Sequence, residues 1–224
     1  MKKLVIVGDG EFAEIACEYF THDSDRQVAG FAVERAYRKK DELLGLPVVA
    51  LEEVEQTFAP DAHDAFVAVA YGQLNRLRMR LCAEMKARTY ALATYVSSHA
   101  FVWRDVQIGE NCFIFEANVL QYSVRIGNNV VLWSGNHIGH QSVIEDNVFV
   151  ASHAVISGYC TIGANSFIGV NASFRDHITV GRDAVVGAGA VVVKDVAERQ
   201  VVRGNPAKPA GQDSFTAFGV RESG

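Results

Sequence analysis

The sequence predicts a mixed α/β plus all-β chain, in which a small βαβ unit leads into a triangular parallel β-helix. Three observations carry that fold class. Stepping by six from Val96 gives Val102, Ile108, Ile114, Leu120, Ile126, Leu132, Ile138, Ile144, Val150, Ile156, Ile162, Ile168, Phe174, Val180, Val186 and Val192, and all 17 positions are apolar with no insertion or deletion. Glycine recurs one residue after the anchor at Gly109, Gly127, Gly163 and Gly181, at spacings of 18 or its double. Ahead of the repeat, Lys3–Val7 is a continuous apolar strand that runs into Gly8-Asp9-Gly10-Glu11-Phe12-Ala13. A helix repeats every 3.6 residues and a strand every 2, so neither produces a count of six. A fixed hexad means short strands separated by regular corners, each returning one side chain to the same interior line.

Taken in order, residues 1–92 read as a small Rossmann-like βαβ N-terminal domain. After the first strand a helix carries Phe12, Ile15, Ala16 and Tyr19 on one side. Gln27–Val33 reads as a second strand, 51–58 as a helix, 65–70 as a further strand, and 74–87 as a helix with Leu74, Leu77, Leu81 and Met85 as its apolar stripe. Alternating strands and helices imply a parallel sheet with a ligand crevice at the carboxyl ends of its strands. Gly8, Asp9 and Gly10 lie at such an end, where glycine lets backbone approach phosphate and a helix N-terminus favours negative charge. The bland reading of the same turn is a tight strand-to-helix connection. Glu34, ending the second strand, either accepts from ribose hydroxyls or is a solvated loop carboxylate. Tyr71 follows the next strand, with Asn75 and Arg78 one helical turn apart beyond it. That pair either faces the glycine turn to meet phosphate or base, or forms a solvated helix face.

Residues 93–209 form the predicted β-helix domain and 210–224 a tail whose place the sequence does not indicate. The 18-residue glycine spacing sets three hexads to a turn, and glycine at a corner suits unusual backbone angles. Four residues past the anchors stand mostly small residues, among them Cys112, Ser142, Ala154, Cys160, Ser166 and Ala172. Asn118 and Asn136 occupy this column 18 residues apart, which predicts a stacked asparagine ladder. Polar chemistry concentrates in Trp133, Ser134, Asn136, His137, His140, Gln141 and His153. A lone histidine is more often a surface imidazole than a catalyst, but His140, just past the Gly139 corner, is expected to point outward along a groove and has no evident structural task. Histidine titrates near neutral pH, which makes it the natural general base.

Composition narrows the function classes. The net charge is −5, with no basic run or stripe, which argues against a nucleic-acid partner. The apolar run after Lys3 breaks at Gly8, too short for a signal peptide, and no run has membrane-spanning length. The four cysteines show no metal-ligand spacing, so no metal is expected, and a reduced, cytoplasmic enzyme fits best. A nicotinamide dehydrogenase is the rival reading of the glycine turn. The residues ahead of the β-helix are few for a full dinucleotide fold, and the repeat domain offers no hydride-transfer site.

The hexads, together with Gly187-Ala188-Gly189-Ala190 and Arg203-Gly204-Asn205-Pro206-Ala207-Lys208-Pro209, resemble the hexapeptide-repeat acyltransferases. The order of domains is similar to the branch of nucleotide-sugar N-acetyltransferases and sialic acid O-acetyltransferase-like proteins, over nearly the whole chain. This resemblance implies a left-handed β-helix, where crossover rules alone would favour the right hand. It implies acetyl-CoA as cosubstrate, a homotrimer with sites between subunits, and a nucleotide-linked amino sugar as acceptor, in bacterial surface glycan (lipopolysaccharide or O-antigen) synthesis. It also assigns roles: His140 as general base beside Gln141; Gly8, Asp9, Gly10 and Glu34 toward the acceptor; Phe149, Val170, Gly187, Ala188 and Lys208 along the coenzyme groove. The reading of the residues themselves adds Tyr71, Asn75, Arg78, Trp133, Asn136 and His137 on the acceptor side.

Three features depart from the family pattern. Gln141 stands where some relatives place an acid, and it supplies no negative charge to the base. Ala32-Val33-Glu34 replaces an acidic pair, and Trp133 replaces a smaller or polar residue, either to stack on sugar or base or to cover the prism. An O-acetyltransferase acting on a free sugar or sialic acid, and a non-catalytic β-helix binding protein, are the alternatives.

Overall fold

The computed structural model describes residues 2–221 and divides into two compact units. Met1–Ala70 and Arg78–Tyr95 make the first, and Tyr71–Leu77 with Val96–Gly224 make the second. Met1 and residues 222–224 of the tail lie outside the described residues.

In the first unit, β1 (Lys3–Val7) leads through α1 (Glu11–His22) to β2 (Val28–Val33). A two-stranded antiparallel ribbon follows, β3 (Glu42–Leu43) and β4 (Leu46–Ala50), turning through Leu44 and Gly45, both at positive φ. The sequence reading missed this ribbon, whose strands are short. Then come α2 (Val54–Thr57), β5 (His63–Val67) and α3 (Arg76–Ala87), whose first two residues belong to the second unit. The sheet order is β3-β4-β2-β1-β5, with β1 parallel to both β2 and β5. The order therefore reverses at β1, and its carboxyl end is the switch point where open α/β sheets bind ligands. The strands are apolar on both faces, as parallel strands covered by helices must be: Leu4 to Val7 and Phe31 to Val33 are all buried. α1 buries Phe12, Ala13, Ala16, Cys17 and Phe20, so the buried stripe is turned slightly from the expected one, with Ile15 and Tyr19 at its half-buried edge.

The second unit is a three-sided parallel β-helix of two-residue strands. Each strand pairs with those 18 residues away, as in Val119↔His137 and His137↔Val155 on one face and Phe149↔Phe167 on another. The three sheets hold six, five and eight strands. The anchor residues and the small column fill the interior, from Cys112 and Ile114 through Val192 to Val202, as one contiguous core.

The corners correct one expectation. Left-handed backbone is found three residues past the anchor, at Asn111, Asn129, Gln141, Asn147, His153, Tyr159, Asn165, His177 and Asp183 among others. Asn and Asp are the residues that tolerate this conformation best after glycine. The glycines one past the anchor do not have positive φ; they are required by close approach. A Cβ on Gly163 would stand 2.6 Å from the Arg182 backbone N, and one on Gly139 2.5 Å from that of Gly158.

The tail is placed as well. Lys208–Asp213 pairs antiparallel with Gln200–Arg203, and α4 (Ser214–Phe218) is N-capped by Asp213, which accepts from the Thr216 backbone N–H. Phe215 and Phe218 pack with Leu74, Val185 and Val201, and the Arg76 and Arg199 guanidinium carbons lie 4.5 and 3.8 Å from the Phe215 ring centroid.

Candidate active site

His140 lies on the corner after the strand His137–Ile138, with its imidazole exposed. Its backbone N–H donates to Gln121 Oε1 at 3.0 Å, and its carbonyl accepts from the Tyr159 N–H at 3.0 Å. The ring rests over Gly158: a Cβ there would meet its Cε1 at 2.7 Å and its Nε2 at 2.8 Å. Tyr159 stands perpendicular to the imidazole with ring centroids 5.1 Å apart, and stacks in parallel on His177 at 4.7 Å. Gln141 is exposed on the same corner, in the left-handed conformation. His137 is half-buried on the strand, and exposed His153 sits over Gly135, whose Cβ would be 2.5 Å from its Nδ1.

Trp133 and the two asparagines are committed to the prism. The Trp133 ring lies 4.3 Å from Phe115 and 6.1 Å from Phe149, and Phe149 stacks on Phe167 at 5.6 Å. This aromatic column favours the covering role among the readings of Trp133. Asn118 and Asn136 are fully buried but do not bond to each other. Asn118 Nδ2 donates to the Phe115 and Trp133 carbonyls at 2.8 and 2.9 Å, while Asn136 Oδ1 accepts from the Ala154 N–H at 2.7 Å. They tie successive coils through backbone, which corrects the predicted ladder.

The ladder exists in another column. Asn111 donates to Asn129 at 2.9 Å, Asn129 to Asn147 at 2.8 Å, Asn147 to Asn165 at 3.1 Å, and Asn165 to Asp183 at 3.1 Å. Its signal was visible as asparagine at the same hexad position every 18 residues.

Three further expectations are moved by the structure. Tyr71 belongs to the prism unit, with its ring 5.0 Å from Phe149 and 4.9 Å from Phe167. Asn75 is fully buried and donates to the Asn165 carbonyl at 3.2 Å. Arg78, also fully buried, donates to the Val69 carbonyl at 3.2 Å. Neither presents a solvated face. The predicted helical spacing failed because α3 starts only at Arg76, after a run of left-handed residues at Gln73, Leu74 and Asn75.

At the switch point of the first unit, Gly8 has φ +125 and approaches the strand-end backbone so closely that a Cβ would stand 2.7 Å from the Ala68 carbonyl oxygen. Gly10, the N-cap of α1, is exposed, with nothing within 4 Å of a Cβ built there. The turn thus has one glycine for packing and one with open space beside it. Lys40 Nζ lies 3.4 Å from the Asp9 carbonyl and 3.7 Å from Glu14. Glu34 is held by Arg80 at 2.9 Å, and this bond raises the Arg80 pKa further.

On the prism, Val170, Ala188 and Lys208 are exposed and Gly187 is half-buried, while Phe149 is buried in the aromatic column. The small residues around Ala188, with open space beside Gly189, suit a narrow flexible chain, and exposed Arg203 and Lys208 supply positive charge suited to phosphates.

Comparison with known proteins decides what these corners belong to. Residues 123–158 and 159–194 match the bacterial transferase hexapeptide (six repeats) family. Among solved structures, the acetyltransferase domain of PglB from Neisseria gonorrhoeae is 27% identical, covering 93% of this chain and 100% of that one at a TM-score of 0.83. PerB from Caulobacter crescentus, solved in complex with CoA and GDP-perosamine, is 25% identical, covering 94% of this chain and 98% of that one at a TM-score of 0.84.

The chain is an acyltransferase that carries the bacterial hexapeptide repeat.

The prism of this acyltransferase is accordingly a left-handed β-helix, joined to a small Rossmann-like unit. WeeI from Acinetobacter baumannii, 23% identical over 93% of this chain and 100% of that one with a TM-score of 0.81, shares the fold. Curated protein sequences give no match. Among the described residues, no helix is long and apolar enough to cross a membrane, and no cluster of metal-ligating side chains is present.

Proposed function

We propose that this acyltransferase moves the acetyl group of acetyl-CoA to the amine of a nucleotide-linked amino sugar, with His140 as general base and direct transfer. The observation that carries the reading is the likeness across nearly the full chain to PerB, a protein solved with CoA and GDP-perosamine. The exposed imidazole of His140, seated on a corner of the prism over Gly158, supports the role given to it. In this reading residues 1–92 bind the nucleotide and 93–209 carry out transfer. Gly8, Asp9 and Gly10 receive the diphosphate at the switch point and the N-terminus of α1. Val170, Gly187, Ala188 and Lys208 line the coenzyme path, with Phe149 contributing backbone alone.

Bound acetyl-CoA supplies an activated acyl group, a thioester carbonyl open to attack. His140 takes a proton from the acceptor nitrogen as the new C–N bond forms, and the C–S bond breaks to release the thiolate, which regains a proton. The oxyanion that forms between those two events takes its hydrogen bonds from outside this corner, because the N–H groups of Gly139, His140, Gln141 and Ser142 already donate within the prism. The enzyme works as a cytoplasmic homotrimer in surface glycan synthesis, and cyclic packing of flat prism faces is the usual outcome for such a shape.

The test is thiol release from acetyl-CoA against a panel of UDP-, GDP- and dTDP-linked amino sugars, with free sugars and sialic acid alongside. Turnover confined to nucleotide-linked amines supports the proposal. Turnover of free hydroxyl acceptors alone would replace it with O-acetylation.

A further inference from the structure

Three rings from successive coils meet at the His140 corner: His140 itself, Tyr159 perpendicular to it, and His177 stacked on Tyr159. The contact is built by the repeat. Tyr159 occupies the left-handed corner position one coil beyond Gln141, and its N–H donates to the His140 carbonyl at 3.0 Å, so its ring is carried at a fixed height beside the imidazole. Gly158, just before it, leaves the space the imidazole fills; a Cβ there would stand 2.8 Å from Nε2. On the far side of Tyr159, His177 Nε2 lies 3.9 Å from Asp176 Oδ2, and Arg175 Nε 4.0 Å from Asp176 Oδ1. Tyr122 stands one coil before His140 in the same column. Tyr159 is nearly half exposed, at 46%, although an aromatic ring with no task gains by burial.

We propose that Tyr159 is a positioning residue for His140: it fixes the imidazole against Gly158, and its ring stabilises the positive charge the imidazole gains on taking the acceptor proton. The inference rests on the proposed base role of His140. An aromatic face attracts a cation within about 6 Å of its centroid. The ring therefore stands in for the negative charge that Gln141, a neutral amide, does not provide. His177 holds the far face of Tyr159 by stacking, which prevents the ring from turning away.

The experiment follows the ring resonances of His140 by NMR in the full-length protein at one fixed pH, in wild type, Tyr159→Leu and Tyr159→Phe. Loss of the ring is expected to remove its ring-current contribution to the His140 resonances and to broaden them as the imidazole loses its fixed seat, and Tyr159→Phe to restore both. In turnover with the acceptor used by wild type, kcat of Tyr159→Leu is expected to fall roughly three- to tenfold with KM for acetyl-CoA little changed. Gln141→Glu added to Tyr159→Leu recovers part of that loss. If folded Tyr159→Leu shows His140 resonances at their wild-type positions and wild-type kcat, the proposal is overturned. Gly158→Ala is the second variant, and wild-type kcat in that folded protein would overturn the seating role as well. Activity surviving in His140→Ala would sink the base assignment instead, and the NMR comparison would still report on the ring contact.

Discussion

Arg76 and Asp183 form an ion pair at 2.8 Å at the end of the asparagine ladder, with the Asp183 side chain only 5% exposed. The same carboxylate oxygen accepts from Asn165, and Arg182 Nε lies 3.6 Å from the other. Removing one partner of a largely buried pair leaves the other charge without compensation, which costs more than the pair itself contributes. Asp183→Ala therefore lowers the unfolding free energy by about 2–4 kcal/mol, less than for a wholly buried pair because Arg76 is partly solvated. Denaturant titration checks it.

Two glycines separate packing from backbone conformation. Gly163 has ordinary φ but no room, with the Arg182 backbone N 2.6 Å from a built Cβ; Gly189 has φ +66 and nothing within 4 Å. Gly163→Ala forces a coil apart and costs about 1–3 kcal/mol or more, whereas Gly189→Ala meets only the left-handed penalty of about 1 kcal/mol. Thermal melts should rank Gly163→Ala below Gly189→Ala and both below wild type.

His140 is exposed, so its removal tests chemistry rather than folding. His140→Ala should lose about 10²–10⁴ in kcat with an unchanged melting temperature, the range that a positioned general base contributes. Rates and melts on the same preparation check the two halves of that statement.

Tyr90 gives a pH dependence. Burial, then the nearby Glu55 charge, pushes its phenol from 10.0 up to about 12, and its hydroxyl donates to the Phe58 carbonyl. A raised folded-state value means the neutral form is favoured by folding. The stabilisation is full below pH 10 and is lost as pH rises toward about 12. Denaturation midpoints should fall across that window, and Tyr90→Phe should remove part of the slope.

The prism was legible because a strict six-residue repeat leaves an unbroken apolar column, and the anchors from Ile114 to Val192 are buried as that column requires. The exposure of His140 was legible because the residue stands just past the Gly139 corner. What misled was local spacing. Asn75 and Arg78 read as a helix face, but left-handed residues delay the helix and both side chains are buried. Asn118 and Asn136 read as a ladder because they share a column, yet an inward asparagine meets backbone carbonyls before it meets its neighbour. The corner asparagines, held upright by left-handed backbone, meet side chain to side chain. Gly158 and Tyr159 carry no motif at all; their relation to His140 exists only once coils stack.

The excursion of Tyr71–Leu77 into the second unit makes that unit discontinuous in the chain. A fragment beginning at Val96 would lack Leu74 beneath Phe215 and Phe218, Asn75 on the Asn165 carbonyl, and Arg76 on Asp183. The polypeptide passes from one unit to the other three times, so each unit is assembled from two separate stretches of chain. The α/β unit waits for residues up to Tyr95, and the prism holds back a place for a segment synthesised long before its last coil. The seven residues Tyr71–Leu77 therefore count toward the stability of the β-helix, although in the chain they lie between the two stretches of the α/β unit.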